Sequence, residues 1–253
     1  MNFTVCIPCF FPKDPFEKAL EKIKRSGFSY AECWRIEDER LKEAKEAVQN
    51  TGVPIVSICT DDFVMNDMSH TEKWLRSLEK SLEKAEALGA KLLITQVGQD
   101  TGEDRQIQRE AILRALEGAG PMLASSGITL MPEPLNTKYD HKGYYLDTAE
   151  ECRDIVRIIN HENIRMVLDF YHQQASGGDL ISTFLDMKNE IRHVHIASNP
   201  GRREPWTGET NYENVFASLS ENGYTGFVGL EYLPALAPEN SLSEFARRFI
   251  KAK

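Results

Sequence analysis

The sequence predicts one α/β domain over residues 1–253, a (β/α)8 TIM barrel. Three observations carry this. Eight short apolar runs alternate with longer amphipathic segments, the pattern of a parallel sheet with crossover helices. Glycines stand just past the ends of several of those segments. The length of 253 residues is close to the ~250 such a barrel typically needs. No linker, low-complexity tract or abrupt shift of composition divides the chain. The alternative, an open doubly wound sheet, lacks its glycine-rich phosphate fingerprint after the first run.

In order, the apolar runs are FTVCIP (3–8), YAECW (30–34), VPIVSIC (53–59), KLLITQV (91–97), ITLMPE (128–133), RMVLD (165–169), RHVHIA (192–197) and FVGLEY (227–232). Phe16, Ala19, Leu20 and Ile23 form the i, i+3, i+4, i+7 stripe of a half-buried helix after the first run. Leu75, Leu78, Leu82 and Ala85 repeat that stripe after the third, with Glu79, Lys80, Glu83 and Lys84 as its solvated face. Gly27, Gly52, Gly89, Gly127 and Gly223 read as helix stops, because glycine accepts the left-handed conformation at little steric cost. His70, in NDMSHTEKW, reads as a helix-start residue.

Barrels of this type gather their active-site groups at the C-terminal ends of the strands. That face receives Glu32, Trp34, Glu133, Asn136, Asp169, His172, His195 and Glu231. Glu133, Asp169, His195 and Glu231 end or follow four consecutive runs, at separations of 36, 26 and 36 residues. Three carboxylates around one imidazole repel one another unless a cation neutralises them. Oxygen-rich ligation with one histidine suits Mn2+ or Mg2+, with Co2+ or Zn2+ also compatible, whereas a structural zinc site would draw on cysteine. Each residue also has a plain structural reading. Glu133 is a loop carboxylate stiffened by Pro132 and Pro134, Asp169 an N-cap, and Glu231 an exposed strand end. His193 shares a strand face with His195 and reads equally well as a core histidine. Four coincidences at consecutive strand ends favour one shared site. Trp34 reads either as packing between strand and helix or as the floor of a pocket. Trp206 lies in a polar loop with Arg202, Arg203 and Glu204, and reads as part of a lid that Gly201 and Gly208 let move.

A net charge of -9 and a pI near 5.3 disfavour binding to phosphate backbones or anionic lipid. No apolar stretch approaches the ~18 residues of a membrane span, and the first residues lack a signal-peptide pattern. The expected partner is a small-molecule substrate, with no nucleic acid and no membrane, in the cytoplasm; a homo-oligomer is compatible with the sequence. Five cysteines are an odd number, and the CxxC of Cys6 and Cys9 has no second copy, so it reads as core.

The stretches EPLN (133–136), HKGYYLDT (141–148), LDFYH (168–172), HVHIAS (193–198), NPGRREPWTGETNY (199–212) and GLEY (229–232) resemble the hydroxypyruvate isomerase family. That family lies within the xylose-isomerase-like barrels of the sugar isomerase and epimerase superfamily. The resemblance is close over about the last 120 residues and rests on strand order before that. It implies that Glu133 and Glu231 serve as acid and base, and that Glu133, Asp169, His195 and Glu231 bind a divalent metal. It places His172, Arg202 and the loop of Trp206 near substrate, with Asn136 and Tyr144 shaping the pocket wall. The implied reaction is isomerisation or epimerisation of hydroxypyruvate, tartronate semialdehyde or a ketose through an enediolate, with the metal as Lewis acid. Ser198 stands where the family commonly has an acidic residue, and Trp206 where it usually has glycine; LDFYH is only partly its usual form. These departures bear on substrate identity. Three other readings compete. A dehydratase or lyase would reuse the same enolate. A metal-dependent nuclease would need more histidines and a basic surface. A non-catalytic sugar-binding barrel would not need both glutamates.

Overall fold

Eight strands run parallel around a barrel in the computed structural model, which describes residues 1–250. The last three positions of the predicted domain, 251–253, lie outside the described residues. The strands are β1 (Asn2–Cys6), β2 (Tyr30–Glu32), β3 (Ile55–Cys59), β4 (Leu92–Thr95), β5 (Thr129–Pro132), β6 (Met166–Asp169), β7 (Ile191–Ile196) and β8 (Phe227–Leu230). Seven hydrogen-bonded pairings give the order β5-β4-β3-β2-β1-β8-β7-β6. The ring closes between β5 and the residues entering β6. There the Leu130 amide donates to the Asn163 carbonyl at 2.9 Å, and the Arg165 amide to the Leu130 carbonyl at 3.0 Å. The predicted barrel is therefore correct; six strands are shorter cores of their predicted apolar runs, and β1 and β7 each begin one residue earlier than theirs.

The helices are α1 (Ile7–Phe10), α2 (Phe16–Arg25), α3 (Leu41–Thr51), α4 (Thr71–Leu88), α5 (Arg105–Ser126), α6 (Ala149–Ile159), α7 (Phe170–Ser176), α8 (Leu180–Met187), α9 (Tyr212–Glu221) and α10 (Pro238–Phe249). That is two more among the described residues than strict alternation predicts. After β1, Pro12 lies just beyond the single turn of α1, and Pro15 precedes α2. After β6, Gly177 and Gly178 interrupt what would be one helix, with Gly178 at φ 71°. Gly52, Gly89 and Gly127 cap α3, α4 and α5 in the left-handed conformation, as predicted. Asn160 does the same for α6 at φ 46°, a cap that glycine-based reading overlooks. No helix of the described residues is long and apolar enough to cross a membrane.

Two apolar layers hold the strands. The larger lies between strands and helices and contains Trp74, Tyr145, Phe170 and Phe245. The smaller fills the barrel interior with Leu92, Ile94, Met131 and Val167 from β4, β5 and β6. On the β1, β2 and β7 side the interior is polar instead, with Thr4, Glu32 and His193 fully or almost fully buried. Burying polar groups is costly unless they are paired, so this half of the barrel is shaped for something other than packing.

Candidate active site

Glu133 directly follows β5, Asp169 ends β6, His195 is one residue from the end of β7, and Glu231 directly follows β8. These four strands are neighbours around the barrel, so the four side chains form an arc with a glutamate at each end. One ligand atom from each lies within 4.8 Å of the others, and all four residues are buried. His195 Nδ1 stands 3.0 Å from Glu133 Oε1 and 3.7 Å from Glu231 Oε2. Asp169 divides its carboxylate between two tasks. Oδ1 accepts the amides of Tyr171 at 2.7 Å and His172 at 3.3 Å, capping α7 as the structural reading predicts. Oδ2 is buried with no hydrogen-bond partner. A buried, unpartnered carboxylate oxygen beside two more carboxylates and an imidazole fits a divalent cation.

The electrostatics agree. Burial pushes the Asp169 carboxyl up to about 7, against the opposing pull of His195. Burial disfavours charge on His195, but Glu231 and Glu32 outweigh it and lift the imidazole well above its ordinary value. Burial likewise opposes ionisation of Glu231, yet His195 and Arg202 hold its carboxyl below the usual range. The cluster as a whole draws positive charge to its centre.

Neighbouring side chains fix these groups. Trp34 Nε1 donates to Glu231 Oε1 at 2.8 Å, and Arg202 Nη2 lies 2.5 Å from Glu231 Oε2. The Tyr144 hydroxyl accepts the Val97 amide at 2.9 Å and donates to the Glu133 carbonyl at 3.0 Å, which anchors the backbone of Glu133. His172 Nδ1 receives the backbone amide of Asn136 at 3.1 Å, with Asn136 Nδ2 at 2.7 Å. An amide can only donate, so Nδ1 carries a lone pair and the hydrogen sits on Nε2. That Nε2 is buried and makes no hydrogen bond, its nearest carboxylate oxygen being Asp169 Oδ2 at 3.6 Å. Burial, then Arg202, hold the His172 pKa well below its ordinary value, so the ring is a neutral donor.

Several expectations need correction. Trp34 does not pack between strand and helix: β2 ends at Glu32, and the indole is 44% exposed while its N–H reaches Glu231. Trp206 is not brought to the cluster. Its ring lies 6.4 Å from that of Phe249, with the Arg248 guanidinium 5.2 Å away, against α10. Gly208 serves close packing rather than movement, since a Cβ there would sit 2.5 Å from the Asn199 carbonyl. Glu32 lies beneath the cluster, bonded to Thr4 and facing both His193 and His195. Tyr144 is buried behind Glu133 rather than exposed on a pocket wall. Ser198 takes the Arg203 amide on its hydroxyl at 3.0 Å and so closes the loop that carries Arg202. His70 is, as predicted, a helix-start residue: it is the N-cap of α4 and contacts Asp62 at 2.8 Å. The five cysteines are free.

His141 escaped the sequence reading. Its Nε2 is buried and unpartnered, and its ring centroid is 5.2 Å from that of His172. The signals that could have found it are its place at the head of HKGYYLDT (141–148) and its position eight residues after Glu133 in the same loop. What brings it back is a fold of that loop, in which the His141 amide donates to the Asn136 carbonyl at 3.1 Å.

Comparison with known proteins relates the whole chain to enzymes and barrels of one family. A 2-oxo-tetronate isomerase from Haemophilus influenzae is 27% identical over 242 residues, covering 92% of this chain and 93% of the relative. A hydroxypyruvate isomerase from Escherichia coli is 26% identical over 251 residues, covering 96% and 97%. A solved structure described as an AP endonuclease, family 2, from Brucella melitensis superposes with a TM-score of 0.92 at 28% identity, covering 98% of each chain. The family model described as xylose isomerase-like TIM barrel matches residues 20–253. With eight parallel strands and this match over most of its length, the chain belongs to the xylose isomerase-like TIM barrel family.

Proposed function

We propose that the protein is a metal-dependent isomerase or epimerase of a small hydroxy-carbonyl compound, with Glu133 and Glu231 moving the proton. The observation that carries this is the buried arc in which two glutamates flank Asp169 and His195, all with ligand atoms within 4.8 Å. The names of the Haemophilus influenzae and Escherichia coli relatives support the reaction class, and both point to short 2-oxo acids.

Glu133, Asp169, His195 and Glu231 would hold the cation, with Mn2+ or Mg2+ suited to three carboxylates and one imidazole and Co2+ or Zn2+ compatible. Such an ion supplies Lewis acidity toward adjacent carbonyl and hydroxyl oxygens. The proton transfer falls to the two glutamates at the ends of the arc, one removing a proton beside the carbonyl and one returning it to the neighbouring carbon. The neutral His172 offers its Nε2–H to a substrate oxygen. Arg202, 2.5 Å from Glu231, is placed to meet a carboxylate or hydroxyl on the substrate. Trp34 and Tyr144 keep the two glutamates in register while this happens.

The test is incubation in deuterated water with hydroxypyruvate, tartronate semialdehyde, 2-oxo-tetronate and a panel of ketoses, with and without chelator. Chelator-sensitive deuterium incorporation into at least one compound is expected. No incorporation into any of them overturns the reading. Incision of an abasic duplex would instead favour the activity named for the Brucella structure.

A further inference from the structure

We propose that Glu32 is a positioning residue of this site: it holds a proton on Nε2 of His195 and so leaves Nδ1, facing Glu133, Asp169 and Glu231, as the nitrogen that a cation would take. The inference rests on the cation-binding reading above. Glu32 ends β2, across the barrel axis from β7, and is 3% exposed. Its two oxygens are used differently. Oε2 accepts the Thr4 hydroxyl at 2.6 Å and faces His193 Nε2 at 3.0 Å. A carboxylate only accepts, so His193 donates from Nε2. Oε1 has no hydrogen-bond partner and stands 3.2 Å from His195 Nε2, itself buried and unpartnered. Two buried atoms of complementary type at that distance are each other's natural partner, while Nδ1, 3.0 Å from Glu133 Oε1, carries a second proton that a bound cation would displace.

The backbone is built to permit this contact. Gly229 lies opposite His195 in the β7–β8 register. A Cβ at Gly229 would sit 2.5 Å from Glu32 Oε1 and 2.6 Å from His195 Cδ2. Only glycine leaves room for the carboxylate and the ring to meet. A buried carboxylate is costly to keep, and a salt link inside a barrel adds little stability of its own. Thr4 and His193 account for Oε2; neither accounts for Oε1. Fixing the tautomer of a metal-binding histidine from its far nitrogen does, because a ligand nitrogen needs its lone pair free.

Glu32→Gln is the discriminating variant. Thr4 and His193 both donate, so the glutamine oxygen must stay at the Oε2 position and its NH2 group must face His195. That group needs an acceptor, so His195 gives up its Nε2 proton and keeps the one it shares with Glu133 on Nδ1, which then has to be lost before a cation can bind. Mn2+ affinity of the metal-free protein, read by paramagnetic resonance, should fall about 10–100-fold. Nitrogen NMR of metal-free Glu32→Gln should show His195 protonated on Nδ1 alone, against both nitrogens in the wild type. Thr4→Val, which removes one donor to Oε2 without touching Oε1, should change affinity by less than about threefold. If Glu32→Gln does not fold, the wild-type spectrum with Zn2+ decides: a proton on His195 Nε2 supports the proposal and a proton on Nδ1 overturns it. Equal Mn2+ affinity and unchanged His195 protonation in Glu32→Gln overturn the positioning role alone. Absence of Mn2+, Mg2+, Co2+ and Zn2+ binding in the wild type overturns the cation-binding reading, and this proposal with it.

Discussion

Arg202 places its Nη2 2.5 Å from Oε2 of Glu231, from a backbone in the left-handed region at φ 51°. That conformation is uncommon for a residue with a side chain and costs of order 1–3 kcal/mol. It is held by the Arg202 amide on the Ser198 carbonyl and the Leu233 amide on the Arg202 carbonyl, each at 2.9 Å. The loop thus spends strain to aim one guanidinium at one of the two glutamates. Arg202→Ala should raise KM for a 2-oxo acid at least tenfold, because truncating one partner of a buried charged pair costs about 2–5 kcal/mol. Arg202→Lys should recover part of it, since the charge returns without the planar fork. Unchanged kcat/KM in Arg202→Ala would refute a substrate role for this residue.

The two glutamates are expected to be individually essential. Glu133→Gln and Glu231→Gln should each slow solvent deuterium exchange by about 10²–10⁴-fold, the range of a lost general acid or base. Circular dichroism and melting temperature serve as the control on folding. Wild-type exchange in either variant would contradict the two-glutamate scheme.

Gly229→Ala tests the close approach beneath the cluster. The added methyl would stand 2.5 Å from Glu32 Oε1. Overpacking a filled interior costs about 1–3 kcal/mol, so the variant should unfold at lower denaturant. It should also bind Mn2+ more weakly, by displacing the His195 ring. Normal stability together with normal Mn2+ binding would show that the barrel yields there.

Lys84 offers a pH test remote from the site. Expected on the solvated face of α4, it is instead 7% exposed, because its Nζ lies 2.6 Å from Asp38 Oδ1 and 2.8 Å from Asp61 Oδ2. Burial opposes its charge, but those two carboxylates outweigh burial and raise its pKa. A folded pKa above the unfolded one makes the contribution complete below the unfolded value of ~10.4. It is lost only as pH rises through the folded value. Lys84→Met should therefore be destabilised equally at pH 7 and pH 9, by about 1 kcal/mol, since the carboxylates left behind are reached by solvent. The gap to wild type should narrow only in stronger alkali. A gap that closes between pH 7 and 9 would refute the ion-pair account.

Much of this protein was legible from its residues. Apolar runs of strand length between helical stripes define a parallel sheet buried on both faces, and eight of them without a glycine-rich phosphate fingerprint favour its closed form, the barrel. Chemistry-bearing side chains at the ends of β5 to β8 follow from the same register, since a strand end on the open face cannot be packed over. Asp169 shows the limit of such reading: its N-cap role and its free oxygen coexist in one carboxylate, and a sequence cannot assign oxygens.

What the sequence determined by itself is the fold and the four residues that converge, because both depend on periodicity along the chain. Only the tertiary structure decided which groups surround them. It carried Trp34 onto Glu231, sent Trp206 away to Phe249, returned His141 beside His172 and slid Glu32 under His195. Those placements depend on loop turns and on contacts across the barrel between residues up to 197 positions apart, distances over which local pattern carries no information.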